Sequence, residues 1–184
     1  LKDGRHLNEE LVHLIQTDER FHIVQENIKN TNTLLIDEVS MVSAKTLSQV
    51  EIICRKVRNC SNIFGGIQVI LVGDFYQLPP IANALTGDSG HYCFQLAWFN
   101  DCFPHQIQLS IIHRQSEKGL INCINELEKG ELSDDSLDFL KSLERPLENE
   151  DSFVHLFTRN FDVDLIQLQE ATSFVWGAET LSSS

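Results

Sequence analysis

Residues 33–38, TLLIDE, set two carboxylates at the end of an apolar run. Thr33 to Ile36 have the make-up of a buried strand, and Asp37 and Glu38 follow where such a strand would surface. Unpaired charge is costly to bury, so the pair calls for a positive partner. One candidate is a divalent cation. The first carboxylate of such a pair can hold Mg²⁺ through its waters while the second polarises an attacking water, as in nucleoside-triphosphate hydrolysis. The other assignment is structural, with Asp37 or Glu38 capping the helix that comes next. The segment alone fits both equally well, because short motifs match by chance.

A second segment, VILVGDFYQLPP (69–80), separates the two assignments. It too leaves an apolar strand for a polar turn, with Gly73 permitting close backbone approach. Gln77 follows at the mouth, where a Gln can hydrogen-bond a γ-phosphate or the attacking water. A Pro-rich loop packing Phe75 and Leu78 would explain the prolines but not why two strands end alike. Ligands of open α/β sheets bind beyond the C-terminal ends of the strands, so the paired endings favour the nucleotide assignment.

Both strand ends need a scaffold. Leu47, Val50, Ile53, Cys54 and Val57 recur at helical spacing between the strands, with Ser43 placed to cap. Continuous apolar strands joined through a helix make a β-α-β unit with strands covered on both faces, which places the chain in the α/β class. Helices are expected over 8–15, with Asn8 as cap, and over 18–29, with a short one in FQLAWFNDCF (94–103). HQIQLS (105–110) reads as a third strand. The pattern of 117–130 is an amphipathic helix ended by Gly130, and 134–143 is another. FVHLFT (153–158) reads as a strand and 162–171 as a helix, and TLSSS adds no closing element.

Composition narrows the function. The chain has 184 residues, 42% hydrophobic and 22% charged, within the globular range. Its 14 Lys and Arg against 27 Asp and Glu give a net charge of −13, the wrong sign for gripping phosphates unaided. No Lys or Arg lies between Cys60 and His113, and 117–151 hold eleven acidic residues against four basic ones, a solvated surface. The one basic cluster, Arg55, Lys56 and Arg58, reads as the wet face of a helix. Five Cys without a C-x-x-C pair argue for a reducing compartment rather than a disulfide framework. His91, Cys93, Cys102 and His105 could ligate zinc, but their spacing fits no common zinc module, and buried thiols among aromatics are the simpler expectation. No apolar run approaches the roughly 20 residues of a membrane span, so no membrane partner is expected.

Three stretches in this order, LLIDEVSMVS, GGIQVILVGDFYQLPP and QLSIIHRQ, resemble motifs II, III and IV of superfamily 1 DNA helicases. They are most similar to the petite integration frequency (PIF-type) family, and the similarity extends over roughly residues 1 to 170, through FQLAWFNDCF and LFTRNFDVD. RecD-like helicases share a similar set. The resemblance implies a RecA-like P-loop NTPase fold, a mostly parallel sheet flanked by helices. Residues 1–110 would be the remnant of a first RecA-like domain and 111–184 the start of a second. It also implies 5′-to-3′ unwinding driven by ATP. Asp37 would coordinate Mg²⁺, Glu38 would activate water, Gln77 would sense the γ-phosphate, and Arg114 would reach from the second domain as an arginine finger. Single-stranded or forked DNA would be the partner of the intact protein, in the nucleus or mitochondrion. No targeting segment is visible, and the oligomeric state is not indicated.

One part of that set is not in the sequence. No G-x-x-x-x-G-K-[ST] occurs in the 184 residues, and Gly65-Gly66 is not followed by Lys. Such a loop cradles the β- and γ-phosphates and supplies a Ser/Thr ligand to Mg²⁺. The expected fold is therefore incomplete at both ends, with an unpaired sheet edge beside the third strand. Little ATPase activity is expected of these residues alone. A degenerate, non-catalytic remnant serving as an interaction module is the competing expectation.

Overall fold

The computed structural model describes residues 4–146 and, beyond them, 154, 156–159, 161, 163 and 164. The chain divides into two compact units, residues 1–116 and 117–184.

The first unit opens with α1 (Gly4–Thr17) and α2 (His22–Asn30). α1 begins before Asn8, so that residue lies inside the helix and is not its cap. Between the helices Asp18 accepts the backbone N–H of Arg20 at 3.0 Å and starts a single 3-10 turn, Glu19–Phe21, which breaks the helix expected from residue 18. Val12 and Ile15 bury the inner face of α1. Next come β1 (Thr33–Ile36), α3 (Ala44–Val57) and β2 (Gln68–Leu71). The strands pair in parallel, Thr33 opposite Gln68 through Ile36 opposite Leu71, so the β-α-β unit forms as expected. Ser43 caps α3 by accepting the N–H of Thr46 at 3.0 Å.

The core lies between the sheet and α3. Leu47 and Cys93 are fully buried there with Phe64, and Leu34, Ile36, Val69 and Leu71 pack on from the sheet. Period-2 alternation sends the other residues of each strand outward, and Leu35 and Ile70 are 58% and 40% exposed. The expectation of a sheet covered on both faces is corrected on this point: among the described residues one face is covered. FQLAWFNDCF yields a 3-10 turn, Cys93–Gln95, and one helical turn, α4 (Phe99–Cys102). The third strand does not form. Residues 103–113 are irregular, with Ile107 and Leu109 86% and 87% exposed, because no neighbouring strand among the described residues supplies hydrogen bonds to them.

The second unit contains a helical hairpin, α5 (Lys118–Lys129) and α6 (Asp134–Leu143). Gly130 ends α5 in the left-handed conformation, φ 75°, as its position predicted. Glu126 accepts the Ser133 N–H at 2.8 Å and so fixes the residue that caps α6. That N–H, with the Ser136 and Ser133 side chains, holds the Glu126 carboxyl below its ordinary range. Of the strand expected over 153–158, Val154 and residues 156–158 are not in strand, and the others lie outside the described residues. Residues 163 and 164 are helical; the remainder of the expected 162–171 helix and the tail lie outside them. Among the described residues no helix is long and apolar enough to cross a membrane.

Candidate active site

The acidic pair leaves β1 in a strained turn. Glu38 has φ 52° and ψ 43°, a left-handed conformation that costs a residue with a Cβ about 1–2 kcal/mol. Asp37 Oδ1 accepts the Glu38 backbone N–H at 2.9 Å and holds the turn. A 3-10 turn follows, Val39–Met41, with no side-chain cap from Glu38. Neither carboxylate caps α3, since Ser43 does; Asp37 holds the turn itself. Both side chains are exposed at the strand end. Strain of this kind collects where function needs an unusual geometry.

Contact between the two strand ends is direct. Val72 N–H donates to the Ile36 carbonyl at 2.8 Å, and Val39 N–H donates back to the Val72 carbonyl at 3.0 Å. The ladder thus continues past both strands and clamps the acidic turn against the end of β2. Gly73 lies in that clamp. A Cβ on it would meet Val39 N at 2.8 Å, Val39 Cγ1 at 3.1 Å and the Glu38 carbonyl carbon at 3.4 Å. The close approach expected of this glycine is present, and its partner is the backbone of the acidic turn.

Asp74 then organises the turn that carries Gln77. Its Oδ1 accepts the Tyr76 N–H at 3.0 Å, its Oδ2 accepts from Gln77 Nε2 at 3.3 Å, and its carbonyl accepts the Gln77 N–H at 3.1 Å. Sequence reasoning passed over Asp74, although an Asp whose side chain can bond the backbone two residues on is a known turn former. Phe75 anchors the loop by packing edge-on to Phe94, with ring centroids 4.9 Å apart, and Tyr92 stacks on Phe94 at 5.0 Å. Leu78, expected to pack as well, is 68% exposed.

The aromatic shelf is itself tied to α3. Ser43 Oγ donates to Asp88 Oδ2 at 2.6 Å, Ala44 N–H donates to the His91 carbonyl at 2.8 Å, and Lys45 Nζ donates to the Thr86 carbonyl. Desolvation pushes the Asp88 carboxyl upward. The Ser43 hydroxyl, the Gly90 N–H, Lys45 and His91 outweigh it and hold the group below its ordinary range.

Asp37, Glu38, Asp74 and Gln77 therefore share one end of the sheet. Arg114 is exposed in the irregular stretch before α5, and no hydrogen bond or ion pair joins it to any of the four among the described residues. Mg²⁺ takes one or two carboxylates and keeps several waters. Asp37 suits that role, with Oδ1 committed to the backbone and Oδ2 turned to no protein group among the described residues. Among the described residues no group of three or more Asp, Glu, His or Cys is placed to hold a metal ion by itself. Cys93 is wholly buried, Cys54 and Cys102 pack in or against the core, and burial pushes all three thiols up, so these cysteines serve packing. The basic cluster is partly internal: Arg55 pairs with Glu51 at 2.8 Å, while Arg58 Nη1 donates to the Ile28 and Thr31 carbonyls at 3.0 and 2.6 Å, closing the end of α2. Of the three, Lys56 keeps an exposed side chain.

Comparison with known proteins gives the family. Residues 8–135 match the model of the PIF1-like helicases. The chain is 33% identical over 145 residues to the ATP-dependent DNA helicase RRM3 of Saccharomyces cerevisiae, covering 78% of this chain and 20% of that protein. It is 32% identical over 166 residues to human ATP-dependent DNA helicase PIF1, covering 88% and 26%. Among solved structures, Candida albicans Pif1 superposes with a TM-score of 0.76 at 28% identity, covering 89% of this chain and 36% of that one. A Bacteroides Pif1 bound to ssDNA gives 0.71 at 30% identity, covering 79% and 36%. The chain thus spans about a fifth to a quarter of these two curated relatives. With the family match running through both clamped strand ends, the chain belongs to the PIF1-like helicase family.

Proposed function

We propose that these residues form part of an ATP-dependent 5′-to-3′ DNA helicase, with Asp37, Glu38 and Gln77 at the γ-phosphate end of its nucleotide site. The observation that carries this is the clamp at Gly73, which sets the Asp37-Glu38 turn and the Asp74–Gln77 turn side by side at one sheet end. Asp37 would hold Mg²⁺ through Oδ2. ATP bound with Mg²⁺ supplies the phosphoanhydride whose cleavage drives movement along DNA. Glu38, exposed and set out from the strand by its left-handed backbone, accepts a proton from water. Arg114 would act as the arginine finger, worth about 10³–10⁵ in turnover where such residues have been measured. Single-stranded or forked DNA is the partner, as the ssDNA held by the Bacteroides relative supports. Residues from 111 onward would begin a second RecA-like lobe, and the intact protein would work in the nucleus or mitochondrion.

The test is turnover of ATP by the full-length protein in the presence of single-stranded DNA. Glu38→Gln is expected to abolish most hydrolysis while sparing nucleotide binding, because the carboxylate acts in the chemical step. Hydrolysis unchanged in that variant would refute the assignment. The 184 residues by themselves, which contain no G-x-x-x-x-G-K-[ST], are expected to turn over negligibly. Robust hydrolysis by the isolated chain, abolished by Glu38→Gln, would contradict that expectation.

A further inference from the structure

We propose that Asp74 is a positioning residue that sets which end of the Gln77 carboxamide is offered to the nucleotide. The inference rests on the role given to Gln77 above. It starts from the bond between Gln77 Nε2 and Asp74 Oδ2, 3.3 Å long, beside the Tyr76 N–H on Asp74 Oδ1 at 3.0 Å. An ionised carboxylate accepts and cannot donate. The amide nitrogen of Gln77 is therefore the end that must face Asp74, and the carbonyl Oε1 is turned away from it. Ordinarily the two ends of a Gln carboxamide are interchangeable until a partner chooses between them. Here the partner is an acceptor on the same tight turn.

Two further features keep the choice in place. The Gln77 backbone N–H closes the turn on the Asp74 carbonyl at 3.1 Å, so the two side chains leave the same closed turn. Gly73, immediately before Asp74, is wedged against Glu38 and Val39, so the turn is registered to the acidic pair. Gln77 thus presents an acceptor oxygen on the side away from Asp74. An acceptor is what a water needs in order to be oriented, whereas against a phosphate oxygen it would be repelled. The polarity set by Asp74 assigns Gln77 to the attacking water in preference to a grip on the γ-phosphate.

Asp74→Asn tests this with little change of shape. The Asn oxygen can keep the Tyr76 N–H, and its NH₂ then faces Gln77, which must turn its own oxygen inward to retain a bond. The number of hydrogen bonds survives while the Gln77 carboxamide is reversed. In the full-length protein, with ATP and single-stranded DNA, kcat is expected to fall by about 10²-fold, the scale of a lost acid–base or water-orienting group, with KM for ATP within about twofold of the original. A merely structural Asp74 would leave kcat where it was, and that result would overturn the proposal. A second measurement does not depend on turnover. In NMR spectra of the 184-residue chain, the Gln77 side-chain amide resonances are expected to move as Asp74 is protonated and to lose that response in Asp74→Asn. Resonances indifferent to both would overturn the proposal at its first step. A wild-type full-length protein without turnover, but with the NMR response intact, would overturn the helicase reading and Gln77's role with it, leaving the hydrogen bond alone.

Discussion

Replacing Gly73 by Ala tests the clamp that unites the two strand ends. The new Cβ would sit 2.8 Å from Val39 N, well inside the 3.4 Å at which ordinary contact begins, and 3.1 Å from Val39 Cγ1. The first of these neighbours is backbone and cannot swing aside, so the acidic turn must separate from β2. Overpacking of this kind costs about 1–3 kcal/mol. Separation also weakens the Val39 N–H bond to the Val72 carbonyl, a contribution of about 1 kcal/mol. The expected loss is therefore about 2–4 kcal/mol, which at ordinary urea dependence lowers the midpoint by about 1–2 M. Trp98, packed edge-on to Phe64 with centroids 5.9 Å apart, reports on this unit by fluorescence once Trp176 is replaced by Phe. Gly130→Ala is the control. It lies in the other unit at φ 75° with nothing within 4 Å of its Cβ, and should leave the Trp98 transition unmoved. A loss under about 0.5 kcal/mol for Gly73→Ala, the range of ordinary surface substitutions, would refute the clamp.

Substitutions at four other residues probe the same unit. Glu38→Gly should raise stability by about 0.5–1 kcal/mol in urea unfolding, since it releases left-handed strain, whereas Glu38→Gln should leave stability unchanged. Arg58→Met keeps the aliphatic stem but frees the Ile28 and Thr31 carbonyls; a loss of about 1.5–3 kcal/mol is expected by the same assay. Ser40→Ala removes a wholly buried hydroxyl that has no partner among the described residues, so the midpoint should stay or rise. Asp88 has a folded pKa below its ordinary 3.8, so its contribution is complete above that value and is lost as pH falls through the lower folded value. Asp88→Asn should therefore flatten the acid limb of the stability profile below about pH 4, most clearly in thermal melts at low salt.

Much of the scaffold was legible because it depends on neighbours in sequence. The apolar period of α3 and its Ser43 cap, the amphipathic α5 with Gly130 at its end, and α6 are local patterns, and each formed where the residues placed it. The parallel pairing of β1 with β2 followed from two apolar runs joined by a helix. The acidic pair and Gly73 were legible for the same reason, since their types and places on the strands carry their chemistry.

What remained hidden depends on partners far along the chain or on none being at hand. Ser43 reaches Asp88 across 45 residues, and Arg58 turns inward to the end of α2, 27 residues back, in place of the solvent-facing role its neighbours suggested. HQIQLS has strand composition, yet a strand exists only when another strand completes its hydrogen bonds, and none among the described residues does so. Leu35 and Ile70 look like core in sequence and face outward because, among the described residues, only the opposite face of the sheet is covered. Asp74 is the nearest miss: its bonds to Tyr76 and Gln77 are local, yet which side-chain atoms they join is set only in the folded turn. Residue types determined which chemistry this chain could carry; three-dimensional adjacency decided which groups meet, because hydrogen bonds and steric contact act through space and not along the sequence.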